Sequence, residues 1–172
     1  ELTDAYGVQD DAERKLAAAA RNNPYLNGAA VTGLTAYASE LQNVSRFGDE
    51  VIIDQQSFLA ALGQTEETIR NVTLAAVEFA STGQVNLETA FRQMNQTLSG
   101  STGRLGLMIP ALKELTEEEL KAGEGLQVII DQFKGMKEAS VEGFAGMKIQ
   151  MKNTFGDIKE DIGEVFAELF DV

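Results

Sequence analysis

The sequence predicts an all-α protein: a compact multi-helix domain with short glycine-capped connections, followed by a long amphipathic C-terminal helix. Three observations carry that prediction. Apolar residues recur at three- and four-residue spacing along most of the chain, the period of one helix face. Only 2 of the 172 residues are proline, and the helix formers Ala, Glu, Leu and Gln are frequent. The 16 glycines fall between the periodic segments, where helix ends and tight corners need them. A hydrophobic share of 44% is ordinary for a globular domain and enough for a real core.

In chain order, Asp10-Asp11-Ala12-Glu13 leads into Arg14-Lys15-Leu16 and a run of four alanines ending at Arg21. Acid first and base last suits the helix macrodipole. Asn22-Asn23-Pro24 stops this helix, because proline disfavours helical backbone in the residue before it. Its face is mostly alanine, which predicts weak packing, so residues 1–27 read as an N-terminal helical arm. A second helix restarts after Asn27-Gly28 and carries Val31, Leu34, Tyr37, Ala38 and Leu41 on one face, extended by Val44 and Phe47.

Asp49 stands where an N-cap is wanted for the next helix. That helix carries Val51, Ile52, Phe58, Leu59 and Leu62, and Gly63 holds the place of a left-handed C-cap. Thr65 caps a helix with Glu66 and Glu67 in its first turn and Ile69, Val72, Leu74, Ala76, Val77 and Phe79 beyond, ended by Ser81-Thr82-Gly83. Asn86 caps another, with Leu87, Ala90, Phe91, Met94 and Leu98. A glycine- and serine-rich loop over 99–106 runs into Leu107-Met108-Ile109-Pro110, where Ile109 cannot be helical. Thr116 and Glu119 have capping-box spacing and start a short helix ended by Gly123 or Gly125. Leu126, Val128, Ile129, Ile130 and Phe133 form the last helix of a compact domain over 28–135, and Gly135 breaks the pattern.

Residues 136–172 change character. Phe144, Met151, Ile158 and Val165 are spaced by sevens, and Phe155, Ile162 and Leu169 form a second such series. Together they make the a/d seam of a coiled-coil-like amphipathic helix. Gly143, Gly146, Gly156 and Gly163 weaken it by about 1 kcal/mol each relative to alanine, so the seam needs a partner. That partner is the chain's own globular part, or another copy or the next segment of a longer chain.

Composition also excludes functions. With 14 basic against 27 acidic residues, the formal charge of −13 repels nucleic acid and anionic lipid, so no specific nucleic-acid binding is expected. The chain holds no cysteine and no histidine. That removes thiolate metal sites, disulfides and the Ser-His and Cys-His pairings. No apolar run reaches the length of a transmembrane helix. The start at Glu1, without Met or a signal-peptide pattern, reads as a piece of a longer chain.

Arg46-Phe47-Gly48-Asp49-Glu50, followed by Leu62-Gly63-Gln64-Thr65-Glu66-Glu67-Thr68-Ile69, resembles the tail tape-measure proteins of tailed bacteriophages and prophages. The likeness continues through Ala75-Ala76-Val77-Glu78-Phe79-Ala80, Leu87-Glu88-Thr89-Ala90 and Leu98-Ser99-Gly100-Ser101-Thr102-Gly103-Arg104-Leu105. It ends near Leu115-Thr116-Glu117-Glu118-Glu119-Leu120-Lys121-Ala122-Gly123 and Phe133-Lys134-Gly135, so it covers about residues 34–135. The resemblance implies a helical structural protein of the virion tail, present in the bacterial host cytoplasm during assembly. It acts in tail assembly and length determination through contacts with other copies of itself or with tail and baseplate proteins. It hands over no catalytic residues for this region, and no enzyme activity, cofactor or metal is expected.

The residues offer few rival sites. Asp49 and Glu50 read as a cap and a solvated neighbour. Glu117, Glu118 and Glu119 mimic a cation site, but the capping box accounts for Glu119. The glycines from Gly100 to Gly106 mimic a phosphate loop but lack its Gly-Lys-Ser/Thr ending. The candidate functional feature is the interaction seam of Phe144, Met151, Phe155, Ile158, Ile162, Val165 and Leu169. Alternative functions are a bacterial helical interaction or adaptor domain unrelated to virions, and a hydrolase fragment using paired carboxylates.

Overall fold

The computed structural model describes residues 2–142 and residue 153. Among the described residues the chain is all-α, with no strand. They divide into two compact units, one up to Gln64 and one over Thr65–Ser140. The division falls within the stretch expected as one domain over 28–135, and the expected arm over 1–27 belongs to the first unit. The interaction seam of Phe144, Met151, Phe155, Ile158, Ile162, Val165 and Leu169 lies outside the described residues, as does most of the long helix expected over 136–172.

The first unit holds α1 (Leu2–Arg21), α2 (Gly28–Val44) and α3 (Asp49–Ala61), each touching the other two. The expected weak packing of α1 is corrected here. Ala12, Leu16 and Ala20, four residues apart, are buried, and α1 lies along α3. Alanine buries little area itself, but it lets two helix backbones approach, and Leu16 then fills the interface completely. Lys15 adds a 2.9 Å ion pair to Asp54 across the same helices, solvent-exposed and therefore of small weight. On α2 the buried face is Ala30, Leu34, Ala38 and Leu41, so the expected face is turned slightly, with Val31 and Tyr37 at its edge. Asn27 is the N-cap of α2, its side-chain oxygen accepting the Ala30 N–H at 2.9 Å.

α3 ends in a Schellman motif. Gly63 takes φ +79°, its N–H donates to Ala60 O, and the Gln64 N–H reaches back to Leu59 O. Buried Asn23 locks this end to the corner after α1. Its amide donates to Ala60 O at 3.0 Å and Gln64 O at 2.8 Å, while its oxygen accepts the Tyr25 N–H at 2.9 Å.

The second unit is built around α4 (Glu66–Ser81), flanked by α5 (Leu87–Leu98) and α8 (Glu124–Phe133). Every residue from Ala75 to Ser81 is buried, as a central helix requires. The buried hydroxyls of Thr73 and Ser81 are satisfied by donating to the carbonyls one turn back, Ile69 O and Val77 O. Phe79 meets Phe133 of α8 with ring centroids 5.1 Å apart. On α5 the expected Leu87, Ala90, Phe91 and Met94 are buried, joined by Thr97, while Leu98 is only half-buried.

Between α5 and α8 run α6 (Leu105–Met108), a 3₁₀ turn over Pro110–Glu114 and α7 (Glu117–Ala122). The loop read over 99–106 is therefore partly helical, and Leu105 is an anchor with Ile109 and Leu112. Ile109 is non-helical before Pro110, as expected, at φ −124° and ψ 89°. Gly123, at φ +95°, ends α7, whereas Gly125 lies inside α8. A Cβ on Gly125 would stand 2.7 Å from Thr97 Cγ2 and 2.8 Å from Leu120 Cδ2, so its smallness lets α8 sit down on α5 and α7. Last comes α9 (Met136–Val141), which buries no side chain.

Candidate functional site

The surface best suited to a partner is the outer face of α3. The helix is apolar on two opposite sides. Ile52, Ile53, Leu59 and Ala60 fill the core, while Val51, Phe58 and Leu62 stand 44%, 59% and 49% exposed. With half-buried Gln55 between them, these outward residues step by four, three and four, the spacing of a helix–helix seam. The sequence groups Val51, Phe58 and Leu62 with Ile52 and Leu59 as one apolar set; the fold separates them. The feature that could have shown this is angular. On a helical wheel Val51, Phe58 and Leu62 fall almost opposite Ile53 and Ala60.

The face is held rigidly at both ends. At the start, the Asp49 N–H donates to Gln42 Oε1 at 2.9 Å, so a side chain of α2 satisfies an orphan helix donor. Asp49 is therefore not the N-cap expected of it. Gly48 holds that position, and Asp49 is the first helical residue, with its carboxylate turned inward. There it accepts hydrogen bonds from Ser39 Oγ at 2.9 Å and Gln9 Nε2 at 3.5 Å. Glu50, expected to be solvated, is half-buried, its carboxylate folded over Gly48. At the far end, the Schellman turn and Asn23 fix Leu62.

A second concave surface runs between α1 and α2, a groove of about 640 Å³ lined by Arg14, Ala17, Ala20, Arg21, Leu26 and Val31 among others. Its walls combine small and apolar side chains with Asn23, Asn27 and the two arginines. Arg14 is held by Asp10 at 2.6 Å. The groove offers shape and two cations, not a reacting pair.

The other sequence-predicted candidates resolve into structure. Thr116 and Glu119 make the full capping box: Thr116 Oγ1 accepts the Glu119 N–H at 3.2 Å, and Glu119 Oε2 accepts the Thr116 N–H at 2.7 Å. The Thr116 N–H foremost, and the Thr116 hydroxyl donating to the same oxygen at 2.9 Å, hold the Glu119 carboxyl below the usual carboxylate range. Glu117 pairs with Lys121 one turn along, which lowers its pKa in the same way. The glycines at 100 and 103 take φ +92° and +47° and close on the side chains of Glu117 and Gln96. Among the described residues no cluster of three acidic side chains has metal-binding geometry. No helix among them is long and apolar enough to cross a membrane.

Sequence reasoning missed one polar centre. Glu78, only 1% exposed, lies on α4 and accepts three hydrogen bonds from the corner before α9. They come from the Gly135 N–H at 3.3 Å, the Lys137 N–H at 3.0 Å and Lys137 Nζ at 2.7 Å. A second acid, Glu138, reaches the same ammonium at 2.8 Å. Burial opposes the charge on Lys137, but hydrogen bonds to Glu138 and Glu78 outweigh it and hold its pKa above the ordinary lysine value. A lone glutamate in the apolar run around Val77 and Phe79 was the signal available in the sequence.

No family model, curated protein or solved structure matches the chain.

Proposed function

We propose that this chain is a structural segment of a phage tail tape-measure protein. It works without catalysis, in tail assembly and length determination, through protein–protein contacts in the virion tail and, before that, in the host cytoplasm. The observation that carries the reading is the ordered set of segments over residues 34–135 that resembles this family. The outer face of α3 supports it, because this apolar seam lies inside that stretch and is fixed at both ends. Its partners are other copies of the chain or tail and baseplate proteins. The −13 charge keeps its surface from adhering to DNA passing through the tail.

The experiment deletes residues 28–135, α3 included, in frame from the parent gene and examines the particles by electron microscopy and mass spectrometry. The expected result is the parent chain present in wild-type tails and failure of tail initiation in the deletion. Wild-type tails that lack the chain would refute the virion role. Tails shortened in proportion to the deletion would refute the assembly role and leave the unit a plain spacer.

A further inference from the structure

We propose that Glu78 is a latch that holds the corner at residues 135–141 onto the second unit, and that this corner opens by itself while α4, α5 and α8 stay folded. The inference rests on geometry alone and does not depend on the function proposed above.

Two observations combine. First, the attachment is polar. α9 buries no side chain, Met136 is 40% exposed, and α9 makes no extensive packing with any other described helix. What binds the corner is the Glu78 carboxylate, which takes the two backbone N–H groups and the Lys137 ammonium. Hydrophobic burial is non-directional and yields gradually, whereas a few hydrogen bonds at one carboxylate are lost together. Second, the carboxylate also serves as the cap of α9. No α9 cap comes from Gly135, which has no side chain and takes φ +88°. Glu78 supplies the missing acceptor from another helix, at the positive end of the α9 dipole.

Opening is also chemically tolerable. The donors to Glu78 all come from the corner, so lifting it away opens their places to water. Lys137 and Glu138 leave together, still able to pair with each other. No charge is stranded in a closed interior, the condition that makes breaking most buried ion pairs so costly. Phe133, packed on Phe79, marks the inner limit of the moving part. Closed, residues 135–140 are held on α4 by Glu78; open, they leave it while α4, α5 and α8 keep their packing.

The test is amide hydrogen exchange on the full chain, in wild type, Glu78→Gln and Lys137→Met. The Gly135 and Lys137 amides are themselves latch donors and report directly. Glu78→Gln is expected to speed exchange over 135–141 by about tenfold to a hundredfold, the ordinary weight of hydrogen bonds to a charged acceptor. Amides over 75–81 and 126–131 should keep their wild-type protection. Lys137→Met removes the ammonium but keeps both backbone donors and the apolar stem, and should give a smaller acceleration confined to the same residues. Unchanged exchange at the corner in Glu78→Gln would overturn the proposal. So would acceleration spread evenly over the second unit in either variant, or failure of Glu78→Gln to fold, since a latch is dispensable to the core it closes on.

Discussion

Asn23→Ala should destabilise the first unit by about 2–3 kcal/mol, although the residue lies in a connection and not in a helix. The magnitude follows from its partners. The side chain donates to Ala60 O and Gln64 O and accepts from the Tyr25 N–H, and it is 4% exposed. Three net hydrogen bonds at roughly 1 kcal/mol each set the upper figure. Ala60 O keeps its bond from the Gly63 N–H, and half-buried Gln64 can reach water, which brings the estimate down toward the lower figure. All three tyrosines, Tyr6, Tyr25 and Tyr37, belong to the first unit, and the chain has no tryptophan. Tyrosine fluorescence in urea therefore reports that unit alone. At an m-value of about 1–2 kcal/mol/M, the midpoint should fall by about 1–3 M. Asn22→Ala, at an exposed neighbour, is the control and should stay within about 0.5 kcal/mol of wild type. An Asn23→Ala midpoint no lower than the control's would refute the idea that Asn23 ties the α1 corner to the end of α3.

Two further predictions concern polar groups of opposite standing. Gln56 is fully buried, and neither atom of its amide has a partner among the described residues. Gln56→Met, of similar volume, should raise the first unit's stability by about 1–2 kcal/mol by the same fluorescence assay, and a lowered midpoint would show that the amide is satisfied. The pH dependence of α7 follows from Glu119, whose folded pKa is depressed by its bonds to Thr116. A depressed carboxyl contributes stability above its unfolded pKa and loses it as pH falls through the folded value. Protection factors at the Glu119 and Leu120 amides should therefore fall on acidification, and Thr116→Ala, which removes the hydroxyl but keeps the backbone donor, should weaken that pH dependence.

Local signals were legible in the sequence because they act within a few residues. The caps at Thr65, Asn86 and Thr116, the left-handed turn at Gly63 and the break at Ile109-Pro110 depend on short-range geometry, and each is present. What was not legible depends on tertiary partners. Asp49 has the residue type of a cap, but Gln42 from α2 takes over the cap's work and the carboxylate turns inward. The alanine run of α1 reads as a poor hydrophobic face, yet small residues are what a close helix crossing with α3 uses. Glu78 stands in an apolar run with no local partner, because its donors lie more than fifty residues away. The seam on α3 was visible only as surplus: five apolar residues where one face has room for fewer. The division at Gln64 escaped notice because Gly63 looks like the other glycine corners.

The distance per residue bears on what such units can do in a tail. A straight helix advances about 1.5 Å per residue, so the residues up to Gln64 would span roughly 95 Å as one rod. Instead α1, α2 and α3 each touch the other two, so their lengths do not add end to end. The longest, α1, accounts for about 30 Å. The second unit loses still more, because α4 is surrounded and its neighbours are joined by a 3₁₀ turn and one-turn helices. A chain selected to convert residue count into length would not spend residues this way. It would also avoid Gly125, whose missing side chain serves only to bring three helices together. In the tape-measure reading these units therefore anchor or nucleate. On that reading the contact would fall to the outer face of α3, and the measuring to other parts of the parent.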